Sequence, residues 1–310
     1  TKYASAKPYT YAWRTPADIM GAIDDTPHIV ITPSRNEAIF LKELADSMIS
    51  QTCPPSKWVI VDHNSTDNTR EIIDPIIEKY DWISIIRVSD ESQRKRGGQI
   101  ARLFNAGLSS IKEQDWHFCS KIDADMVLPK HYFRNILDKF DEKPSLGIAS
   151  GSCYLMVGSR RKTEKVSVGH TRGGLKTYRK TCFNQIGGVR EVDGWDGVDN
   201  IVAQMNGWET SNFPEIEALH KRATGSFFGS LKGCFETGKF AHCMRYSLTF
   251  MIARSLHRSL QRPIFLGGVL MMLGFVFGVF TRQQSSMSIA EISFLRKKQR
   301  ARLLNWWARR

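Results

Sequence analysis

The sequence predicts an α/β protein of the doubly wound type, with a mostly parallel sheet that is covered by helices on both faces. Two observations support this fold class. Short runs rich in apolar and β-branched residues have the length of buried strands, and stretches with the helical spacing of apolar residues separate them. Continuous apolar strands that alternate with helices are typical of parallel sheets. The four predicted strands are HIVIT (28–32), WVIVD (58–62), ISIIRV (83–88) and HFCSKID (117–123).

Each gap between these strands contains one predicted helix. Residues 1–27 precede the first strand, and their aromatic and proline residues predict an extended lead-in. The regular alternation of strands and helices therefore begins at residue 28. The three predicted helices lie in EAIFLKELADSMIS (37–50), NTREIIDPIIEKY (68–80) and GQIARLFNAGLSSI (98–111).

The composition is that of a folded protein with one large domain and an appendage. The chain has 310 residues, of which 42% are hydrophobic and 24% are charged. Its six cysteines include no C-x-x-C pair, so the sequence predicts neither a zinc site nor a disulfide framework, and a reducing compartment is favoured. The N-terminal residues lack the basic-then-apolar order of a signal peptide, so export is not expected.

The net charge of +13 is concentrated near the C-terminal end of the sequence. Between residues 282 and 310 there are eight basic residues and one acid, Glu291, so this tail carries +7 of the total. A nucleic-acid-binding protein would spread its charge over the folded face, so nucleic acid is not an expected partner. A basic tail beside an apolar run instead indicates an anionic membrane.

The apolar run PIFLGGVLMMLGFVFGVFT (263–281) predicts a membrane-inserted helix, with a buried core helix as the alternative. Its length is at the lower edge of the roughly 17 to 25 residues that span a bilayer. Residues 240–260 predict an interfacial helix, and Trp306 and Trp307 among arginines fit the headgroup level of a membrane. Because basic residues flank the run on both sides, the sequence leaves open whether it crosses the membrane or re-enters.

Polar side chains follow every predicted strand. In doubly wound sheets, ligands bind beyond the carboxyl ends of the strands, so these segments are the candidates for a binding site. Asp62 ends the second strand beside Asn64, and a carboxylate there can accept hydrogen bonds from a nucleobase imide or a ribose hydroxyl. Residues 65–67 can cap the next helix. In RKRGGQIARLFNAG (94–107), two glycines and nearby cations at a helix start favour phosphate.

The acidic pair Asp123 and Asp125 follows the fourth strand. Two carboxylates at one strand end repel each other unless a cation offsets the field, and Mg²⁺ or Mn²⁺ with substrate phosphate is the usual solution. A calcium loop is disfavoured because Val127 and Leu128 follow. The nucleophile of a haloacid-dehalogenase phosphatase would be expected on the first strand, with Thr or Gly in place of Met126.

Several segments together carry a family resemblance. Pro33 with Asn36 and Glu37 is followed by VDHNSTDNT, GGQIARLFNAG, KIDADMVL, GGLKTYRKTCFNQIGG (173–188) and GWDGVDNIVAQMNGWETSNF (194–213). In this order and approximate spacing they resemble family 2 glycosyltransferases. The resemblance implies a GT-A fold, which is Rossmann-like, and an inverting transfer of a sugar from a nucleotide donor to an acceptor hydroxyl.

The resemblance also implies roles for individual residues. Asp62 and Asp123 would contact the base or ribose, while Asp125 would coordinate Mn²⁺ or Mg²⁺ on the diphosphate. His220 would complete the metal shell. The other residues implied to bind the nucleotide are Pro33, Arg35, Glu37, Asn64, Gly98, Arg102 and Arg222.

The catalytic base is implied to lie in the segment GWDGVD. In the family, an acidic pair precedes a helix that ends near a glycine, and counting back from Gly207 places Asp196 at the base position. Trp195 replaces the usual Glu and is predicted to lie on the acceptor side. Asp199 stands three residues further on and would share a helical face with Asp196, so both aspartates stay candidates.

The implied protein is a glycosyltransferase of the hexosyltransferase type (EC 2.4) with a catalytic domain at 28–225 and a membrane-associating region at 226–310. A UDP-sugar is the favoured donor because it is the most frequent one in the family. The expected acceptor is a lipid-linked glycan or polysaccharide at the cytoplasmic face of the inner membrane, and a homo-oligomer is allowed. A metal-dependent phosphatase or nucleotidyltransferase is the alternative, whereas a glycoside hydrolase would need neither metal nor nucleotide.

Overall fold

The computed structural model describes residues 27–89, 97–111, 116–164, 166, 169–222, 229–261 and 263–308. Three of the sequence predictions lie outside the described residues. They concern the lead-in up to residue 26, the cations at 94–96, and the side chains of Trp306 and Trp307.

Within these ranges the chain forms nine strands. The first four correspond to the strands predicted from sequence, each within two residues of its predicted bounds. The strands are β1 (His28–Ser34), β2 (Lys57–Asp62), β3 (Ile83–Arg87), β4 (Phe118–Ile122), β5 (Met126–Val127), β6 (Leu146–Val157), β7 (Arg160–Glu164), β8 (Leu175–Arg179) and β9 (Glu209–His220).

The same ranges contain ten helices, of which the first three correspond to the predicted ones. The helices are α1 (Ala38–Ile49), α2 (Thr69–Lys79), α3 (Gly98–Ser109), α4 (Tyr132–Glu142), α5 (Lys180–Gln185), α6 (Trp195–Met205), α7 (Gly229–Cys243), α8 (Leu248–Ser259), α9 (Leu266–Phe280) and α10 (Ile289–Ala308).

The nine strands form one mixed sheet in the order β3-β2-β1-β4-β8-β6-β9-β5, with β7 paired to β6. The strands β3, β2, β1 and β4 are parallel, as predicted. Beyond β4 the sheet is mixed, which differs from the predicted mostly parallel sheet. There β8 runs antiparallel to β4 and β6, β7 runs antiparallel to β6, and β5 runs antiparallel to β9, whereas β6 and β9 are parallel. A two-residue connection between β6 and β7 permits only an antiparallel pair.

Helices cover both faces of the sheet, which explains why its first strands are apolar throughout. Val30 and Ile60 pack on one face with α1 and α4, while Ile31 and Val61 pack on the other with α3 and α6. This division follows the alternation of side chains along a strand. On the second face, a Cβ at Gly107 of α3 would lie 2.6 Å from Ile31, so the helix approaches the sheet closely there.

Residues 240–260 form two helices rather than the single interfacial helix predicted. The helix α7 ends at Cys243 and α8 begins at Leu248. Between them, Arg245 adopts a positive φ of 53°, and the Ser247 hydroxyl accepts a hydrogen bond from Phe250 N at 3.3 Å as the N-cap of α8. The apolar spacing continues through this turn, so periodicity alone could not reveal the break.

The predicted apolar helix is α9, which has 15 residues inside the run 263–281. None of the helices in the described part of the chain combines the length and the apolar character needed to cross a membrane. One side of α9 is made of glycines that touch its neighbours directly. A Cβ at Gly274 would overlap the carbonyl of Phe235 in α7, and one at Gly268 would overlap the carbonyl of Ser255 in α8.

The C-terminal segments also pack against the α/β unit. Met244, Met287 and Leu295 are buried in the same apolar cluster as residues of α3 and α6. The Glu291 carboxylate accepts two hydrogen bonds from the Arg190 guanidinium, at 2.6 and 2.9 Å. The region after residue 225 therefore shares a core with the predicted catalytic domain.

Candidate active site

The carboxyl end of β2 presents a buried carboxylate. Asp62 is 1% exposed and pairs in register with Ser34, the last residue of β1. Its Oδ1 accepts a hydrogen bond from Ser65 N at 3.1 Å, whereas its Oδ2 is buried and has no hydrogen-bond partner among the described residues. The Ser34 hydroxyl is also buried without a hydrogen-bond partner among the described residues. Because an unpaired buried oxygen is costly, Asp62 Oδ2 is suited to accept a donor from a ligand.

The loops that follow β1 and β2 are joined to each other through Asn36. Its Oδ1 accepts a hydrogen bond from Thr66 N at 2.7 Å, and its own backbone N donates to Ser65 Oγ at 2.9 Å. Asn36 and Asn64 have φ angles of 52° and 49°, in the left-handed region that asparagine tolerates better than most residues. The two strand ends therefore form one interlocked edge.

Asp67 extends this link to two helices. Its Oδ2 accepts from Ala38 N at 3.0 Å, at the start of α1, and its Oδ1 accepts from Thr69 N at 3.2 Å, at the start of α2. Burial raises the pKa of Asp67, but these hydrogen bonds and the one from the Thr69 hydroxyl lower it overall. The capping role predicted for residues 65–67 thus extends to a second helix that the sequence pattern does not indicate.

Two of the predicted nucleotide-binding cations lie beside this edge. Arg35 Nη1 donates to His63 Nδ1 at 3.4 Å. Burial, followed by the charges of Arg35 and Arg102, lowers the pKa of His63, so the imidazole is neutral at pH 7. Pro33 is half-buried in β1, opposite Val61. The residue that follows β1 and one residue of α3 thus place two guanidinium groups near the buried Asp62, a charge pattern suited to phosphate.

The carboxylate of Asp123 lies just beyond β4, against a pair of glycines. The side chain is 35% exposed and forms an ion pair with Lys121. Its backbone N donates to Gly174 O at 3.0 Å, and a Cβ at Gly174 would lie 2.6 Å from Asp123 Oδ2. Only glycine allows this approach of backbone to carboxylate.

Asp196 contacts the preceding glycine of the same turn. A Cβ at Gly173 would lie 3.2 Å from Asp196 Oδ2. Gly173 and Gly174 therefore bring the carboxylates of Asp123 and Asp196 against two consecutive residues, although 73 positions separate them in sequence. Sequence reasoning assigned no role to these glycines; the signal available was the doublet immediately before a strand.

Asp196 and Asp199 have opposite surroundings. Among the described residues, no donor reaches the Asp196 carboxylate, and its backbone O accepts from Lys176 Nζ at 2.6 Å. Asp199 is 4% exposed, accepts from Lys176 Nζ at 2.8 and 3.0 Å, and also accepts from the Tyr178 hydroxyl. Burial raises the pKa of Asp199, and the Lys176 ammonium opposes this shift. Asp196 alone of the two has a carboxylate that a substrate can use.

Trp195, predicted to lie on the acceptor side, is almost completely buried. Its side chain is 6% exposed, and the ammonium groups of Lys121 and Lys176 lie 5.5 and 5.3 Å from its ring. The two lysines are direct cross-strand partners on β4 and β8. After the left-handed turn at Gly194, the helix α6 begins with its indole turned inward onto these cations.

Asp125 lies in a row of side chains with alternating charge. Arg222 donates to Asp125 Oδ2 at 2.8 Å and to Glu37 Oε1 at 2.7 Å. On the other side, His220 Nε2 lies 3.6 Å from Asp125 Oδ2, and His220 Nδ1 lies 3.0 Å from Glu164 Oε2. Burial opposes ionisation, but these partners lower the pKa of Asp125 to about 2 and raise that of His220 to about 9.

The donor set around Asp125 fits a divalent cation such as Mn²⁺ or Mg²⁺. A carboxylate oxygen and an imidazole nitrogen 3.6 Å apart can both reach one ion, and a carboxylate on the second imidazole nitrogen, here Glu164, is usual for a metal-binding histidine. Cys153 also lies within reach of His220 and Glu164. Burial raises the pKa of the Cys153 thiol to about 12, and sulfur is a softer ligand than the oxygen ligands that Mn²⁺ and Mg²⁺ prefer.

Glu164 was missed by sequence reasoning. It reaches the site because the β6–β7 hairpin folds back, and no local motif marks it. Arg172 Nη1 also donates to Glu164 Oε2, at 3.1 Å, and so helps to hold this carboxylate in place.

Gly97 and Gly98, at the start of α3, contact another segment of the chain, whereas the sequence predicted a phosphate there. Gly98 N lies 3.3 Å from Asp193 Oδ1, and a Cβ at Gly98 would lie 2.6 Å from Glu191 O. The start of α3 is therefore held against the loop that precedes α6. The absence of side chains at Gly97 and Gly98 is explained by this contact between chain segments.

The sequence profile of the family described as Glycosyl transferase family 2 matches residues 29–190, which is more than half of the chain. An uncharacterized glycosyltransferase of Nostoc sp. is 32% identical over 120 residues, which is 38% of this chain. The match covers 34% of the Nostoc protein, so the chain spans about a third of the length of this curated relative.

Two solved structures are similar in fold. A mannosyltransferase from Pyrobaculum calidifontis, in complex with GDP-Man and Mn²⁺, has a TM-score of 0.59 at 14% identity over 84% of this chain and 89% of its own. Residues 1–349 of S. aureus TarS, in complex with UDP-GlcNAc, have a TM-score of 0.53 at 15% identity over 87% and 78%. At these identities the similarity shows the fold, which is α/β and GT-A-like.

Proposed function

The chain belongs to glycosyltransferase family 2, and from that premise we propose that it transfers a sugar from a nucleotide donor to a hydroxyl of a lipid-linked or polysaccharide acceptor. One observation carries the proposal. The turn Gly173–Gly174 brings a donor-side carboxylate, Asp123, and an available second carboxylate, Asp196, to one place at the edge of the sheet. A transfer between two bound substrates needs both groups there.

Asp196 is the proposed base. As the acceptor oxygen attacks the anomeric carbon, its proton passes to the Asp196 carboxylate, and the bond from that carbon to the nucleoside diphosphate breaks on the opposite face. The configuration is inverted, and no covalent enzyme intermediate forms. Lys176 is a positioning residue, since it holds the backbone of Asp196 and is itself neutralised by Asp199.

The nucleoside is proposed to lie over the ends of β1, β2 and β4. The unpaired Oδ2 of Asp62 would accept a hydrogen bond from a base imide or a ribose hydroxyl, and Asp123 would bind beside it. Arg35 and Arg102 supply positive charge for the phosphates. A UDP-sugar is the favoured donor, but uracil, thymine and guanine each present an imide N–H that suits Asp62.

Asp125 and His220 are the proposed ligands of Mn²⁺ or Mg²⁺. Bound there, the cation would supply Lewis-acid stabilisation of the charge on the departing diphosphate. Glu164 orients the His220 ring through Nδ1, and Arg222 is placed to contribute a second positive charge. The Mn²⁺ of the Pyrobaculum mannosyltransferase complex supports a divalent cation in a protein of this fold.

The proposed place of action is the cytoplasmic face of the cell membrane, where soluble nucleotide sugar meets a lipid-linked acceptor. The phosphatase or nucleotidyltransferase alternative is not favoured by the family match.

The test is a thermal-shift panel of UDP, GDP, dTDP and CDP with and without Mn²⁺. One nucleotide is expected to raise the melting temperature, and only with the metal, because binding to the native state alone stabilises it. Asp62→Asn should remove this shift, whereas Asp46→Asn, at an exposed position of α1, should keep it. If no nucleotide shifts the wild-type protein in the presence of Mn²⁺, the proposal is refuted.

A further inference from the structure

The helix α8 carries a row of large apolar side chains in solvent. Leu248, Ile252, Leu256 and the C-cap residue Leu260 are spaced by four residues, and their exposed fractions range from 44% to 78%. Residues at this spacing lie along one side of a helix. The opposite side of α8, with Met251 and Ser255, is buried. The solvent-exposed side of α8 is therefore apolar.

The helix α9 exposes most of its large apolar side chains and buries its glycines. Leu266, Leu273, Phe277 and Phe280 are 46% to 81% exposed. The buried side is formed by glycines that touch α7 and α8, together with Met271 and Phe275. A helix at the surface of a soluble protein normally turns a polar face to water. We call the exposed apolar side chains of α8 and α9 the apolar face.

The two helices lie side by side and antiparallel. Gly268, near the start of α9, is in contact with Ser255 and Ser259, near the end of α8. At the opposite end, Arg245 before α8 donates to the backbone O of Gln283 after α9, at 3.1 Å. The apolar face therefore belongs to one helical hairpin. Contiguous exposed apolar surface of this kind marks an interaction site.

The C-terminal segment that contains this hairpin is rich in cations and poor in acids. Residues 229–308 contain twelve Lys and Arg and only two Glu. Both acids are already paired, Glu236 with Lys239 at 3.1 Å and Glu291 with Arg190 at 2.6 Å. At one end of the hairpin, Arg296 Nε donates to the backbone O of Arg245 at 3.0 Å, and Arg282 follows α9. We call Arg245, Arg282 and Arg296 the basic rim.

We propose that the hairpin α8–α9 lies flat on a bilayer that contains anionic lipids, with the apolar face among the acyl chains and the basic rim at the headgroups. Apolar burial combined with attraction to anionic lipid is what holds interfacial helices on membranes. A second copy of this chain fits the surface less well, because it would bring two basic rims together without free acids to pair them. The proposal is independent of the transfer reaction, since binding needs neither donor nor acceptor.

The experiment is flotation of the full chain with vesicles of phosphatidylcholine alone or of phosphatidylcholine with 30% phosphatidylglycerol. Wild type should bind the anionic vesicles and should release as salt rises to about 0.5 M. The variant Leu256→Ser/Phe277→Ser/Phe280→Ser should bind about tenfold or more weakly. The matched control, Ile39→Ser/Met156→Ser/Val157→Ser, changes three apolar side chains that are 51% to 82% exposed elsewhere and should bind as wild type does.

A second variant, Arg282→Gln/Arg296→Gln, tests the basic rim without changing apolar packing. Loss of each cation should weaken binding to anionic vesicles about fivefold, with no change on neutral ones. If the apolar variant fails to fold, this variant alone decides the question.

Absence of wild-type binding to anionic vesicles would overturn the proposal. It would also be overturned if both variants fold and bind these vesicles as tightly as wild type does. Sedimentation velocity tests the competing occupant. A concentration-dependent dimer that the apolar variant abolishes, without vesicle binding by wild type, would assign the surface to a second copy instead.

Discussion

At the residue scale, Asp196 and Asp199 show how neighbours decide the role of a carboxylate. They lie three residues apart at the start of α6, and the sequence treats them alike. Their surroundings differ because the Lys176 ammonium binds the carboxylate of Asp199 but only the backbone O of Asp196. One aspartate therefore neutralises a buried lysine, and the other keeps its oxygens available.

Asp196→Asn is expected to abolish transfer while nucleotide binding stays. The amide cannot take the proton of the acceptor hydroxyl, and loss of a general base lowers kcat by about 10²- to 10⁴-fold. The measurement is kcat with a nucleotide-sugar donor, beside the Mn²⁺-dependent thermal shift as a binding control. Transfer at the wild-type rate would remove Asp196 from the mechanism.

Asp199→Asn is the matched substitution one helical turn away, and it should act on stability first. It leaves the Lys176 ammonium, which is fully buried, without its counter-charge, at a cost of about 3–5 kcal/mol. Denaturant unfolding measures this free energy. An Asp199→Asn protein as stable as wild type but inactive would instead indicate that Asp199 is the base.

At the scale of elements, α10 is fastened to the catalytic part of the molecule by its first turn. Ser288 N donates to Glu291 Oε2 at 2.8 Å and Glu291 N to Ser288 Oγ at 3.4 Å, which is the reciprocal pattern of a capping box. The same carboxylate receives Arg190 in a bidentate pair. The buried Glu291 carboxylate thus caps the N-terminus of α10 and also binds the helix to Arg190.

Glu291→Gln should loosen α10 at neutral pH, lowering the free energy of unfolding by about 1–2 kcal/mol. The hydrogen bond from Arg190 lowers the pKa of Glu291 below its ordinary value of 4.5 in the folded state. Its stabilisation is therefore complete above pH 4.5 and is lost as the pH falls through the folded value.

The measurement is unfolding free energy against pH, with hydrogen exchange of the α10 amides. Glu142→Gln, at a 63% exposed side chain paired with Lys139, is the control and should change little. The prediction is wrong if Glu291→Gln and wild type differ equally at pH 7 and below the folded pKa.

At the scale of the whole molecule, the boundary predicted near residue 225 does not divide the core. Met244, Met287 and Leu295 are buried against the helices that cover one face of the sheet. Burying three such side chains contributes about 5–9 kcal/mol, which is comparable to the total stability of a protein of about 5–15 kcal/mol. The C-terminal helices therefore belong to the folding unit.

A chain that ends at residue 225 is accordingly expected to aggregate or unfold, while the full chain unfolds in one transition. Because truncation also exposes other surface, Met287→Ala/Leu295→Ala in the full chain is the finer test and should cost about 2–5 kcal/mol per site. Calorimetry and circular dichroism measure both. A truncated protein that melts at the full-length temperature would restore the two-domain division.

The sequence by itself determined the four parallel strands, their three helices, the family and the carboxylates at the strand ends. These follow from local periodicity and from motifs whose residues are close in sequence, such as Asp123 and Asp125. It could not choose between Asp196 and Asp199, and it did not predict that the Trp195 indole packs against Lys121 and Lys176.

Only the tertiary structure decided the features that depend on distant segments. The β6–β7 hairpin brings Glu164 to His220, the turn at Gly173–Gly174 joins two carboxylates, and the glycine side of α9 leaves its large side chains in solvent. The physical reason is that burial, pairing and pKa depend on neighbours in space, which periodicity along the chain does not record.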